Sequence, residues 1–156
     1  MTNPRLKPGD KAPALGLKDT DDKLVQISDY AGKWLVVYFY PKDDTSGCTM
    51  EARDFSENIE KFRSVNAEVV GISPDSVDSH RKFCKKHDLK VTLLSDSEHK
   101  VLEAWDVWHE KSMYGRSYWG VVRTTYLIAP DGTIAHVWPN VKVKGHVEDV
   151  LSKIPK

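Results

Sequence analysis

The stretch WLVVYFYPKDDTSGCTMEARDF, residues 34–55, decides the fold. Trp34 to Tyr40 is an unbroken run of aliphatic, β-branched and aromatic residues, the pattern of a central strand buried on both faces. Pro41 stops it, since proline has no N–H to give a ladder. A short polar loop follows. Residues 45–63 then switch to helical spacing, with Phe55, Ile59 and Phe62 on one stripe.

The same alternation runs outward in both directions. Upstream, KLVQIS (23–28) alternates apolar and polar residues as a half-buried strand does. Downstream, AEVVGIS (67–73) is a second buried strand, and SVDSHRKFCKKHDL (76–89) reads as a helix entered through Pro74-Asp75-Ser76. VTLLSD (91–96) is a short strand, EHKVLEAW (98–105) a short helix, and TTYLIAPDGTIAHVW (124–138) a hairpin turning at Pro130-Asp131-Gly132. Val147, Val150, Leu151 and Ile154 set a closing helix over 146–154. Strands separated by single helices imply right-handed crossovers and a parallel centre, to which the hairpin adds antiparallel strands. The expected fold class is α/β, a thioredoxin-like sandwich with a mixed central sheet flanked by helices. No repeat, low-complexity tract or linker divides residues 1–156, so one domain is expected. VWHEKSMYGRSYWG (107–120) fits neither period and is expected to be an irregular functional loop.

Composition excludes several classes. Hydrophobic residues at 40% and charged residues at 29% are an ordinary soluble balance. Lys+Arg and Asp+Glu are 23 each, so no basic excess points to nucleic acid or to a membrane surface. MTNPRLKPGDKAP has no apolar stretch to act as a leader, and Pro4, Pro8 and Pro13 would break one. Trp34–Tyr40 is too short to cross a bilayer. The expected location is cytoplasmic, or an organelle lumen after removal of a transit peptide. The six histidines contain no H-x-x-x-H pair, and His80 and His87, seven apart on one helix, read as solvated surface groups rather than metal ligands. Neither Cys48 nor Cys84 lies in a C-x-x-C pair, which argues against a thioredoxin-type reductase and a thiolate zinc site.

Cys48 falls where a helix begins, beyond the end of a buried strand, which is where α/β sheets place their sites. Free N–H groups and the positive dipole end there favour a thiolate over a thiol. Thr45, three residues earlier, is suited to cap the helix or to set its hydroxyl beside the sulfur. Position alone leaves the alternative of a small buried cysteine that happens to start a helix.

The string Pro41, Thr45, Cys48 matches Pro-x-x-x-Thr/Ser-x-x-Cys, and YFYPKDDT-x-GCT resembles the peroxiredoxin family, in its peroxiredoxin Q or bacterioferritin comigratory branch. GDKAP (9–13), LLSD (93–96) and VVRTTYLIAPDGTI (121–134) extend the resemblance over nearly the whole chain. Ser46 departs from it, because many relatives carry proline there. The resemblance implies a thiol-dependent peroxidase acting on hydrogen peroxide and organic hydroperoxides. The Cys48 thiolate would attack a peroxide and become a sulfenic acid. Pro41 would shield the sulfur, Thr45 would hydrogen-bond the peroxide, and Arg123 would support both thiolate and peroxide. Glu51 would pair with that arginine; read without the family, it is simply an early-helix carboxylate and Arg123 a strand-start arginine.

In many of this branch a resolving cysteine lies five residues after the first, a position held here by Arg53. A subset places it on the following helix, which makes Cys84 the implied resolver through an intramolecular disulfide that a thioredoxin-like dithiol protein reduces. Arg81, Lys82, Lys85 and Lys86 surround it, and cations lower a thiol's pKa. Cys84 as a small core residue is the alternative. No metal, haem, flavin or nicotinamide is required, and a monomer suffices. Two rivals stand beside this reading: a one-cysteine peroxidase with a structural Cys84, and a non-enzymatic thiol redox sensor whose tryptophans, Trp105, Trp108 and Trp119 among them, form a binding surface.

Overall fold

The computed structural model describes residues 6–156, so the leader reading at Pro4 lies outside the described residues. In chain order the elements are β1 (Leu17–Lys18), β2 (Leu24–Val25), a 3₁₀ turn (Ile27–Tyr30), β3 (Trp34–Phe39), α1 (Ser46–Glu57), α2 (Ile59–Ser64), β4 (Ala67–Ser73), α3 (Val77–His87), β5 (Thr92–Ser95), α4 (Lys100–Ala104), β6 (Trp108–Met113), β7 (Arg116–Val121), β8 (Thr124–Ile128), β9 (Ile134–Trp138) and α5 (His146–Ser152). Among the described residues the main sheet runs in the order β2-β1-β5-β4-β3-β8-β9. β3 lies parallel to β4 and antiparallel to β8, and β4 lies parallel to β5, so the sheet is mixed as expected.

β3 explains the layering. Val36, Tyr38 and Tyr40 face one core with Cys48, Ala52 and Phe55 of α1, Phe62 of α2, Phe83 of α3 and Val150 of α5. Leu35, Val37 and Phe39 face the other with Leu102 of α4, Trp105 and Tyr126. Both faces of this strand are apolar because both are covered, which is the reason the run does not alternate. Tyr38 is opposite Gly71 in the parallel register, and its ring lies across that glycine between Tyr40 and Phe55, with centroids 5.6 and 4.6 Å away.

Several expectations are corrected. The strand over 23–28 is confined to Leu24–Val25, because Asp29 accepts a hydrogen bond from the Gln26 N–H at 2.9 Å and folds Ile27–Tyr30 into a tight turn. The helix over 45–63 is two helices; at Asn58 the side-chain amide donates to the Asp54 carbonyl at 2.8 Å, competing with the helical ladder. Residues 107–120 are no irregular loop: β6 and β7 form a regular hairpin over Tyr114-Gly115, both with positive φ as a two-residue primed turn requires. The histidines are not uniformly solvated. His80 is fully buried, and His146 is buried with its Nε2 2.8 Å from the Thr125 hydroxyl. Trp105 is buried too, so it belongs to no surface. No helix among the described residues is long and apolar enough to cross a membrane.

A Cβ at position 71 would sit 2.5 Å from Cζ and 2.7 Å from Oη of Tyr38, a ring that core packing prevents from moving aside. Gly71→Ala is therefore expected to destabilise by about 2 kcal/mol, read as a lower urea midpoint at unchanged slope.

Candidate active site

Chain reversal into α1 begins at Asp44, whose φ of 60° is left-handed, and Thr45 occupies the N-cap in an extended conformation. The expected side-chain cap is absent: the Thr45 hydroxyl donates to the Lys42 carbonyl at 2.8 Å and so braces the loop, while the Thr45 carbonyl accepts from the Thr49 N–H at 2.8 Å. Cys48 is the third helical residue, where the free N–H groups of the first turn lie, and is 1% exposed. Pro41, half-buried, lies two residues past the end of β3.

Arg123 arrives from the connection between β7 and β8. β7 returns the chain through Val122, whose N–H donates to the Val107 carbonyl at 2.8 Å, and the Arg123 carbonyl accepts from the Val141 N–H at 2.8 Å. Those bonds fix the backbone of a long side chain whose head reaches α1. Nη2 donates to Cys48 Sγ at 3.2 Å and Nη1 donates to Glu51 Oε1 at 2.7 Å. Gly47 makes room: a Cβ there would lie 3.3 Å from Nη2. Sequence reasoning did not single out Gly47; its place immediately before Cys48 was the available signal.

The electrostatics follow from burial. Glu51 is fully buried, which pushes its carboxyl up to about 7 against the opposing pull of Arg123. It is thus no exposed early-helix carboxylate. Burial opposes the charge of Arg123, but Glu51 and the Cys48 sulfur outweigh it and its pKa rises. Tyr38 lies behind the pair. Burial, then the charges of Glu51, Cys84 and Cys48, raise its phenol well above the ordinary value, so it stays neutral. Among the described residues, the Tyr38 hydroxyl and Glu51 Oε2 are the buried side-chain polar atoms without a hydrogen-bond partner.

The structure thus brings Cys48, Glu51 and Arg123 together. Cys84 stands apart on α3, half-buried against the core that holds Cys48, and both thiols are free. The lysines around it do not lower its pKa; burial and the Asp43 charge push it up to about 11. Lys82 and Lys86 pair instead with Asp78 and Asp44. Asp43, Asp75 and His80 approach closely enough to suggest a cation, but they satisfy one another: both His80 nitrogens have protein partners, and Asp75 Oδ2 accepts from the Asp43 N–H and the Ser73 hydroxyl.

The AhpC/TSA family pattern matches residues 8–137. The chain is 48% identical over 146 residues to peroxiredoxin Bcp of Bacillus subtilis, covering 94% of this chain and 93% of that protein. The chain belongs to the AhpC/TSA family, as a peroxiredoxin of the Bcp branch. It is also 41% identical over 147 residues to peroxiredoxin Bcp of Escherichia coli, covering 94% of each. Among solved structures it resembles the bacterioferritin comigratory protein of Xanthomonas campestris, with TM-score 0.88 and 38% identity over 95% of this chain and 97% of that one. A cysteine-to-serine variant of the Xylella fastidiosa protein PrxQ superposes with TM-score 0.88 at 39% identity, covering 97% and 96%. These neighbours are thioredoxin-fold peroxiredoxins, in agreement with the expected fold class.

Arg123→Met is expected to slow peroxide reduction about a hundredfold or more, the usual effect of removing an aimed donor, measured by stopped-flow at fixed pH. Glu51 carries an opposite signature in stability. Because its folded pKa is raised, its contribution is fully present below its unfolded value and is lost as pH rises through about 7. Glu51→Gln in the peroxiredoxin should therefore unfold at higher urea than wild type at pH 8, converge with it below pH about 4.5, and reduce peroxide more slowly because Arg123 loses its charged anchor.

Proposed function

We propose that this peroxiredoxin reduces hydrogen peroxide and organic hydroperoxides with Cys48 as nucleophile, resolves through Cys84, and is returned to the dithiol form by a thioredoxin-type protein. The observation that carries the reading is the Arg123 guanidinium shared between Cys48 Sγ and Glu51. A permanently charged, bidentate donor beside a buried sulfur stabilises the thiolate and, one atom further out, the charge that develops on a breaking peroxide. The Xanthomonas relative is described for its alkyl peroxide reduction activity, which supports the organic substrates.

The Cys48 thiolate attacks the terminal oxygen of ROOH; the S–O bond forms, the O–O bond breaks, and RO⁻ leaves to be protonated as ROH. Sulfur is oxidised to the sulfenic level and the peroxide is reduced to alcohol, or to water when R is hydrogen. Thr45, at the loop end, orients the peroxide, and Pro41 limits water at the sulfur. The Cys84 thiolate then attacks the sulfenic sulfur, forming the disulfide and releasing hydroxide, which takes up the Cys84 proton as water. An external dithiol reduces the disulfide by exchange and is itself oxidised.

The second step calls for movement, because Cys48 is buried with its sulfur held by Arg123, while Cys84 is half-buried on another helix. Folded, Cys84 is also a poor nucleophile, its thiol pushed up to about 11. Exposure by unwinding of α3 and of the first turn of α1 returns it toward an ordinary value and multiplies its thiolate about a hundredfold. The disulfide closes within one chain, so the cycle needs a single domain and no second subunit.

One equivalent of hydrogen peroxide added to the reduced protein is expected to remove two hydrogens from the intact mass without dimerisation. Cys84→Ser should gain oxygen instead and lose thioredoxin-linked turnover. Retained turnover in that variant would leave a one-cysteine peroxidase, and an unchanged wild-type mass would leave a redox-inert scaffold.

A further inference from the structure

Cys84 lies between two clamps, both made by the active-site loop. One helical turn before it, the Asp43 carboxylate is buried and fully engaged. Its Oδ2 lies 2.7 Å from His80 Nδ1 and accepts from the Ser79 hydroxyl at 2.8 Å, and its Oδ1 accepts from the Tyr40 hydroxyl at 2.6 Å. The other ring nitrogen of His80, Nε2, is 3.0 Å from the Leu94 carbonyl of β5, so each nitrogen of this buried ring meets an acceptor. One turn after Cys84, Asp44 accepts from Lys86 Nζ at 2.7 Å and lies 2.8 Å from His87 Nε2. Asp43 and Asp44 are consecutive residues of the segment between Pro41 and Thr45, so α3 and that segment are fastened to each other directly.

The two clamps differ in strength. The Asp44 clamp is exposed to solvent and screened. The Asp43–His80 pair is not, with side chains 4% and 0% exposed. A buried polar pair that meets all its partners resists separation, because each group would have to find new ones.

We propose that Asp43, Ser79 and His80 form a latch that sets how often α3 is open to deliver Cys84, and so divides the Cys48 sulfenic acid between disulfide formation and over-oxidation. This rests on Cys84 acting as the resolving cysteine. When opening is a rapid pre-equilibrium, the observed rate of disulfide formation is the opening constant multiplied by the rate of attack in the open form. Each latch hydrogen bond lowers the opening constant. While α3 is closed, the sulfenic acid stays within reach of a second peroxide, which oxidises it to sulfinic acid and is itself reduced to alcohol or water. The latch residues touch neither peroxide nor sulfur; they are positioning residues. Because Asp43 belongs to the segment between Pro41 and Thr45, opening α3 also releases the loop that holds the reduced site together.

The test follows Cys48–Cys84 disulfide formation by quenched-flow mass spectrometry after one equivalent of hydrogen peroxide, with the initial oxidation of Cys48 timed in the same samples. Ser79→Ala is expected to speed disulfide formation about threefold and His80→Gln about tenfold, the effect of one and of several lost hydrogen bonds. Under excess peroxide both should accumulate less sulfinic acid than wild type. Phe62→Leu, which weakens the core at α2 and removes no latch hydrogen bond, should leave the rate within twofold. Rates in both latch variants at or below wild type would overturn the latch while leaving Cys84 as resolver, and so would equal acceleration in Phe62→Leu. Absence of any wild-type disulfide would remove the resolver reading and the latch with it. Should His80→Gln fail to fold, Ser79→Ala, which keeps the buried pair, decides the question.

Discussion

The site depends on one half-buried charge. The Arg123 guanidinium holds Cys48 Sγ at 3.2 Å and Glu51 Oε1 at 2.7 Å, and every element near it serves that placement. Arginine cannot shed its proton, so an anion must be supplied where it is buried. Glu51 supplies the acceptor in the resting protein, one helical turn beyond the sulfur. The sheet delivers the arginine from β7 and β8, the helix delivers both acceptors, and Gly47 lets the two approach. Without the fixed backbone at Val122 and Arg123 the same side chain would be a flexible surface cation.

This arrangement works against stability. Burial pushes the Glu51 carboxyl up to about 7, one of its oxygens has no partner among the described residues, and neither has the Tyr38 hydroxyl behind it. Such groups lower stability and persist at sites where a preorganised field is needed. In the proposed cycle the same region must also open. Cys84 is suppressed while its helix is folded, and that helix is fastened to the active-site loop by Asp43 and Asp44. In that proposal the closed state suits reaction with peroxide and the open state suits disulfide formation, so the strength of these contacts balances the two halves of the cycle.

Much of this was legible in the sequence for physical reasons. Trp34–Tyr40 reads as a doubly buried strand because both faces are covered, and Pro41 and the helical stripe after it locate Cys48. Arg123 was legible only through the motif, since a lone arginine among Val121, Val122 and Thr124 has no periodic signature. The hairpin over 108–121 was hidden because its arms are amphipathic in no simple order and Tyr114, a residue unusual at positive φ, turns it. His80 read as a surface group because its neighbours Arg81 and Lys82 are charged; burial on a helix is set by face, and His80 shares its face with Phe83 rather than with them. The Asp43 partnership was beyond reach, since a loop carboxylate declares no partner 37 residues away.

The most direct measurement asks which sulfur meets the peroxide. Reduced Cys84→Ser and Cys48→Ser proteins are each given one equivalent of hydrogen peroxide in the presence of dimedone, and the adduct is mapped by peptide mass. The arginine-held site predicts rapid, stoichiometric labelling of Cys48 in the first variant and negligible peroxide consumption by the second. Labelling of Cys84 with Cys48 absent, at a rate matching the first variant, would contradict it and detach the buried Arg123–Glu51 pair from peroxide chemistry.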